Sequence, residues 1–271
     1  MEKHRPFLKW AGNKYRCLAH ILAELPPGER LVEPFMGSGA LFLNTHYPSY
    51  LLAEKNHDLI SLYENIQQGS TEFIDYCSHY FSEKTNQSAV YYENRIKFNQ
   101  SEDERLRAAL FLYLNRHGYN GLCRYNKKGQ WNVPFGSYEK PYFPYQELMY
   151  FHLKSLYAKF IHADFRTTFE QTRPGDVIYC DPPYVPLSAT ASFTSYIAGC
   201  FTKEDQETLA ELALANSRRG ITVIISNHDT AFTRQIYAQA RIVSFPVQRS
   251  ISCKGSKRGT VQELLAIYKK S

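Results

Sequence analysis

Two nearly continuous apolar runs, DVIYCD at 176–181 and GITVIISN at 220–227, flank an amphipathic helical pattern at 203–218. A strand that is apolar along its whole length needs cover on both faces, and a parallel sheet with helices on each side provides it. KFIHADF at 159–165 reads as a further strand of this kind. Near the N-terminus RLVEPF (30–35) leads into MGSGALFLNT, glycines opening onto a helical pattern, and then into the strand candidate YLLAEKN (50–56). That order is a βαβ unit.

Between these halves the period changes. DLISLYENIQ, TEFIDYCSHYF, AVYYENRIKFN and ERLRAALFLYLNR carry apolar residues at i, i+3 and i+4, as surface helices do. GYNGLCRYNKKGQWNVPFGSYEKPYF follows, and its NKKG predicts a turn between two short extended pieces. The expected architecture is therefore an α/β, Rossmann-like catalytic domain formed by residues 1–56 and 145–271, with an inserted helical domain at 57–144 that carries a β-hairpin.

Charge is informative through its distribution. The chain has 32 Lys and Arg against 26 Asp and Glu, a net of +6, which permits a polyanionic partner without demanding one. From 116 to 140, Arg116, Arg124, Lys127, Lys128 and Lys140 face only Glu139; from 245 to 271, six basic residues face only Glu263. A solvated surface produces such clusters too, but interleaved aromatics turn the reading toward nucleic acid. The six cysteines (Cys17, Cys77, Cys123, Cys180, Cys200, Cys253) lack C-x-x-C or Cys/His ligand spacing, which predicts a reduced, cytoplasmic protein without structural zinc. MEKHRPFLKWAG has no apolar core of signal-peptide length, and no run is long enough to span a membrane.

In PFMGSG (34–39) glycines at a strand's end let the backbone approach a ligand closely, although a tight turn would use them equally well. Glu54, ending the next strand, can take both hydroxyls of a ribose. With no third glycine and no long phosphate loop, a nucleoside with a short charged tail fits better than a dinucleotide, and S-adenosylmethionine is such a molecule.

YCDPPY at 179–184 supplies the chemistry. A carboxylate at the C-terminal end of a strand projects toward the ligand crevice of an open α/β sheet, where Asp181 is expected. Pro182 and Pro183 stiffen the turn and leave the carbonyls of Asp181 and Pro182 able to accept from an amino group. Tyr184 offers a flat face on which a planar base can stack. Held by its hydrogens, an exocyclic amine turns its lone pair toward an electrophile; a sulfonium brings its own leaving group, so no metal is called for. A proline-ended strand with a structural aspartate is the other reading of the same residues.

At these residues the chain resembles the DNA adenine methylase family. The resemblance runs through FLKWAGNKY (7–15), EPFMGSGALFLNT (33–45), FLYLNRHGYNGLCRYN (111–126), NVPFGSYEKPYFP (132–144), DPPYVPLSATASFTSY (181–196) and ISNHDT (225–230), essentially the whole chain. It implies an S-adenosylmethionine-dependent methyltransferase domain with an inserted DNA-recognition domain. The implied cofactor contacts are Trp10, Lys14, Phe35, Gly37, Gly39, Glu54 and Asp181, with Asp164 and Phe165 near the adenine ring. The catalytic residues are Asp181, Pro182, Pro183 and Tyr184. The implied substrate is double-stranded DNA containing GATC, its adenine flipped out of the helix.

Within the recognition part the resemblance gives Arg124 and Lys9 to guanines, and Tyr119, Asn120, Leu122, Pro134 and Tyr138 to the gap left by the flipped base or to its neighbours. The basic residues of RSISCKGSKRG (249–259) become phosphate contacts. Two positions depart from the family pattern. Asn13 stands where a glycine is usual, and Asn tolerates left-handed backbone; Glu54 stands where aspartate is usual, adding a methylene. Three functions stay open on the sequence: adenine-N6 methylation of GATC, a cytosine-N4 or RNA amino-methyltransferase, and a catalytically silent DNA-binding module of the same fold. The family's solitary members serve mismatch repair and DNA replication timing, whereas others protect against a paired endonuclease.

Overall fold

The computed structural model describes residues 3–184, 201–248 and 260–269; the end of the DPPYVPLSATASFTSY motif from 185, the basic segment 249–259, Cys200 and Cys253 lie outside them. The elements are α1 (Leu18–Glu24), β1 (Arg30–Glu33), β2 (Ser49–Glu54), α2 (His57–Ser78), α3 (Ser88–Gln100), α4 (Glu104–His117), α5 (Tyr145–Ser155), β3 (Ala158–His162), α6 (Phe165–Glu170), β4 (Asp176–Cys180), α7 (Lys203–Arg218), β5 (Thr222–His228), α8 (Ala231–Ile236), β6 (Arg241–Gln248) and β7 (Thr260–Tyr268). They form two compact units, each assembled from separate stretches: 1–16, 37–45 and 54–162 in the first, 17–36, 46–53 and 163–271 in the second. Compactness thus groups 1–16, 37–45 and 145–162 with the helical segment, whereas the sequence reading placed them in the catalytic part.

In the second unit the strands β2-β1-β4-β5-β7-β6 take six consecutive places in a seven-stranded sheet. β1 runs parallel to β2 and β4, and β4 parallel to β5. β7 inserts antiparallel between β5 and β6. The parallel strands are the apolar runs of the sequence, and all five residues of β4 are buried. A helix face of Leu209, Ala210 and Ala213 on α7 is also buried, and each large aliphatic side chain removed from water contributes about 1.5–3 kcal/mol. Where β1 and β4 begin, Arg30 Nε and Nη2 donate to the two Asp176 oxygens at 2.9 and 2.7 Å. The Asp176 side chain is fully buried, and this bidentate pairing offsets its desolvation.

The first unit is helical. α2 packs on α4 and α5, and α3 packs on α4. Every residue of α4 from Ala108 to Asn115 is buried, making it the central rod. Phe151 anchors an aromatic cluster, with ring centroids 4.8 Å from Tyr63, 5.1 Å from Phe7 and 5.8 Å from Phe42. The two helical patterns DLISLYENIQ and TEFIDYCSHYF are one helix, α2, interrupted at Ser70 (φ 52°, ψ −147°).

Three local expectations are corrected. MGSGALFLNT forms no α-helix, only a 3₁₀ turn at Phe42–Asn44. KFIHADF ends as a strand at His162 because Asp164 caps α6, its side chain accepting from Arg166 N, and Phe165 is already helical. The NKKG turn is present, closed by Gly129 N to Asn126 O at 2.9 Å, but its flanks meet through an isolated Tyr125↔Trp131 bridge and make no regular ladder. Among the described residues no helix is long and apolar enough to cross a membrane, and no group of three His, Cys, Asp or Glu could hold a metal ion.

Candidate active site

In the second unit Asp181 follows β4 directly. Its Oδ1 accepts from Ser226 Oγ at 3.0 Å, and Ser226 Oγ in turn accepts from Tyr179 OH at 3.0 Å. Burial raises the Tyr179 phenol well above its ordinary pKa, so it stays a donor. The carbonyl of Pro183 accepts from Gln206 Nε2 at 2.8 Å. Tyr184 OH donates to Glu263 Oε2 at 3.0 Å, and its ring meets His228 edge-on at 4.7 Å. Burial, and then the nearby Asp181 carboxylate, keep Tyr184 a neutral phenol. A carboxylate of fixed orientation, a rigid turn and an anchored aromatic ring therefore stand together at the end of β4.

Phe35 and Phe165 also lie in this unit, with ring centroids 5.6 Å apart and planes inclined by 26°. Phe201, which the sequence reading did not single out, completes a three-ring cluster at 5.5 and 5.4 Å. Asp164 is engaged as the cap of α6, and its Oδ1 lies 3.3 Å from Arg166 Nη1.

In the first unit the glycine loop and Glu54 meet. Gly37 (φ 50°) and Gly39 (φ 71°) both occupy the left-handed region, where a side chain is strained. A Cβ on Gly37 would sit 3.0 Å from Trp10 Nε1, so the indole lies directly against the loop. Gly37 N donates to Glu54 Oε2 at 3.1 Å, and Lys55 N and Asn56 N donate to Oε1 at 3.0 and 3.2 Å. The extra methylene of Glu54 is thus taken up by a carboxylate that bridges the glycine loop and the start of α2. Burial raises the Glu54 pKa, and these three amides oppose that shift. At Asn13 the left-handed residue is its neighbour Gly12 (φ 75°). Asn13 accepts from Tyr15 N at 2.7 Å through Oδ1 and so starts the 3₁₀ turn that holds Lys14, whose Nζ donates to Gly12 O at 3.0 Å.

The candidate DNA-reading residues all belong to the first unit. Lys9 Nζ stands 3.7 Å from the centre of the Tyr138 ring. Burial, and then the Arg116 charge, lower the Lys9 pKa to about 8. Asn115 clamps Lys9: its Oδ1 accepts from Lys9 N at 3.0 Å, and its Nδ2 donates to Lys9 O at 2.8 Å and to Gly121 O at 3.1 Å. Tyr119 N donates to Pro134 O at 2.9 Å, which draws the Tyr119–Leu122 stretch beside Pro134. Tyr119 is 52% exposed, and Asn120 is left-handed at φ 54°. Arg124 is exposed, with Nε and Nη2 on Asn132 Oδ1 and O at 2.8 and 3.2 Å. The structure brings Lys9 to Tyr138 and Tyr119 to Pro134; Arg124 is set on Asn132 instead of on another of the set.

Residues missed in the sequence are mainly those that hold others: Ser226 and His228 from ISNHDT, Gln206 from α7, Glu263 from β7, and Asn115. ISNHDT was visible as a motif, but nothing in one dimension pairs a strand residue with a turn 45 positions away.

A family model described as D12 class N6 adenine-specific DNA methyltransferase matches residues 10–251. The DNA adenine methylase of Escherichia coli (strain K12) is 51% identical over 269 residues, covering 99% of this chain and 97% of that protein. That of Vibrio cholerae serotype O1 (strain ATCC 39315 / El Tor Inaba N16961) is 49% identical with the same coverage, and that of Serratia marcescens 48% identical, covering 99% and 100%. Among solved structures, a human methyltransferase 10 domain containing protein aligns over 94% of this chain and 81% of its own, at 8% identity and a TM-score of 0.39, a likeness too loose to bear on function. The matched region holds the glycine loop, the candidate DNA-reading residues from Tyr119 to Tyr138 and the turn with Asp181, and the chain belongs to the D12 class N6 adenine-specific DNA methyltransferase family.

Proposed function

We propose that the enzyme transfers methyl from S-adenosylmethionine to N6 of the adenine in GATC, acting on double-stranded DNA with the target adenine flipped out. The observation that carries this reading is the turn at 181–184, with Asp181 oriented by Ser226 and Tyr184 held by Glu263. Asp181 and the Pro182 carbonyl accept the two N–H bonds of the amine, and Tyr184 stacks on the base. The amine's lone pair then faces the electrophile, and its proton leaves after the methyl has arrived, so Asp181 need not be a strong base. A stacked, paired adenine cannot adopt this pose, which is why extrusion is required.

The residues suit the cofactor. The left-handed glycine loop with an indole against it leaves backbone open to close approach, and the Glu54 carboxylate, with both Oε1 lone pairs on amides and one of Oε2 on Gly37 N, keeps an Oε2 lone pair for a ribose hydroxyl. Trp10, Lys14, Gly37, Gly39 and Glu54 are assigned to S-adenosylmethionine, as are Phe35, Asp164, Phe165 and Asp181. When bound, it supplies an electrophilic methyl group and its own leaving group. Residues 57–144 are assigned to target recognition together with Lys9 from the N-terminal segment: Arg124 and Lys9 on guanines, and Tyr119, Asn120, Leu122, Pro134 and Tyr138 around the vacated base. The relatives it resembles are bacterial DNA adenine methylases, and the enzyme is accordingly assigned to the cytoplasm.

The test is transfer of labelled methyl from S-adenosylmethionine to duplexes with GATC or a scrambled site, followed by digestion to nucleosides. Label in N6-methyladenine from the GATC duplex alone is expected. Equal label from both duplexes overturns the site assignment, and label in cytosine overturns the target. DNA binding with no transfer leaves a silent module. Asp181→Ala is expected to abolish transfer while specific DNA binding stays measurable; a normal rate in this variant removes Asp181 from the chemistry.

A further inference from the structure

The Pro183 carbonyl ends a chain of oriented amides. His228 N donates to Asn227 Oδ1 at 2.9 Å, which fixes the Asn227 carboxamide with its Nδ2 toward Gln206. Asn227 Nδ2 donates to Gln206 Oε1 at 3.0 Å, and Tyr237 OH reaches the same oxygen at 3.3 Å. With Oε1 facing two donors, Nε2 must face the Pro183 carbonyl, which it meets at 2.8 Å. Gln206 and Asn227 are 2% and 0% exposed, while Pro183, whose carbonyl Gln206 holds, is exposed on the turn.

The turn has little other freedom. Proline rings fix φ at Pro182 and Pro183, and peptide planarity fixes ω. The soft torsions left in the pair are the two ψ angles, and holding the Pro183 carbonyl sets the second. That angle decides where the chain leaves the turn and hence where the Tyr184 ring points.

We propose that Gln206 is a positioning residue for methyl transfer, which fixes the Pro183 carbonyl and thereby aims Tyr184 at the target base. The proposal rests on the assignment of the 181–184 turn to the adenine amine. Gln206 is outside the residues assigned to substrate and cofactor and bonds only to the Pro183 carbonyl, Asn227 and Tyr237 among the described side-chain contacts, so its loss should act on the chemical step and spare binding, which DNA phosphates and flanking bases dominate.

Single-turnover methylation of a GATC duplex tests this, with DNA KM, cofactor affinity by direct titration, and Tm measured alongside. Gln206→Met is expected to slow the chemical step by about 100-fold, the scale of a misaligned reacting group, with DNA KM and cofactor affinity unchanged. Tyr237→Phe removes one donor from Oε1, together with the hydroxyl that accepts from Asn227 Nδ2 at 3.1 Å, and is expected to slow it by about fivefold. Since Tyr237 acts through Gln206, the double variant should be no slower than Gln206→Met. A folded Gln206→Met enzyme with the normal single-turnover rate overturns the proposal, as do losses that multiply in the double variant. If Gln206→Met does not fold, an unaltered rate in Tyr237→Phe overturns it instead. Asp181→Ala keeps the two readings apart: an active Asp181→Ala enzyme defeats the assignment of the turn, whereas an inactive one beside a normal Gln206→Met enzyme defeats the Gln206 role alone.

Discussion

Gly121 lies at φ 61°, and a Cβ there would fall 2.2 Å from the Cβ of Lys9. Both facts forbid a side chain: the left-handed conformation costs an L-residue about 1–2 kcal/mol, and overpacking adds about 1–3 kcal/mol. Gly121→Ala is therefore expected to lower unfolding free energy by about 2–5 kcal/mol in urea titration, summing those two effects. Lys9 itself should give a pH signature. Its burial beside Arg116 brings its pKa to about 8, so the charge proposed to hold a guanine is present below that pH and lost above it. Discrimination at the Lys9 base pair is expected to weaken as pH rises through about 8. Lys9→Arg, permanently charged, should flatten that profile in competition binding. Arg124→Ala should relax selectivity at a single base pair by about 1–3 kcal/mol; a uniform loss over all sequences would mark a phosphate contact instead.

At the scale of elements, the flank of the NKKG turn is tied to helices α2 and α4. Tyr125 OH donates to Asp58 Oδ2 at 2.7 Å, while Arg107 Nη2 meets Asp58 Oδ1 at 2.5 Å. Asp58→Ala leaves a half-buried guanidinium and a half-buried phenol without this partner, and is expected to cost about 1–3 kcal/mol in thermal or urea unfolding. Legibility follows the same division between local and distant partners. β4, β5 and α7 were readable because apolar runs and helical spacing are local, and Asp181 was readable because a strand end is a place in the chain. β6 was not, since its burial alternates loosely and it carries Pro246, which an edge strand tolerates and a central strand does not. β7 was hidden under a basic segment that the eye reads as surface. The short 3₁₀ turn after the glycine loop reads in sequence as a longer helix, but its three consecutive buried residues, Phe42, Leu43 and Asn44, are too few to close an α-helix. Ser226, Gln206 and Glu263 act across the sheet, and spacing in one dimension carries no trace of that.

Over the whole molecule the net charge of +6 is modest, so affinity for DNA should depend on where the cations sit. Lys127 and Lys128 stand exposed on the NKKG turn. Replacing both with Ala is expected to reduce the slope of log affinity against log salt by about 2, seen equally with GATC and scrambled duplexes. The order of strands has a different consequence, for synthesis. β1 pairs with β4 across 146 positions (Arg30↔Asp176), and β7, last of the strands in the sequence, lies between β5 and β6. A growing polypeptide emerging from the ribosome therefore holds β5 with one edge unpaired and β6 with no neighbour in the sheet until β7 follows. The nascent enzyme carries open, apolar strand edges for nearly the whole of its translation, and a chaperone that shields such edges would find its client there.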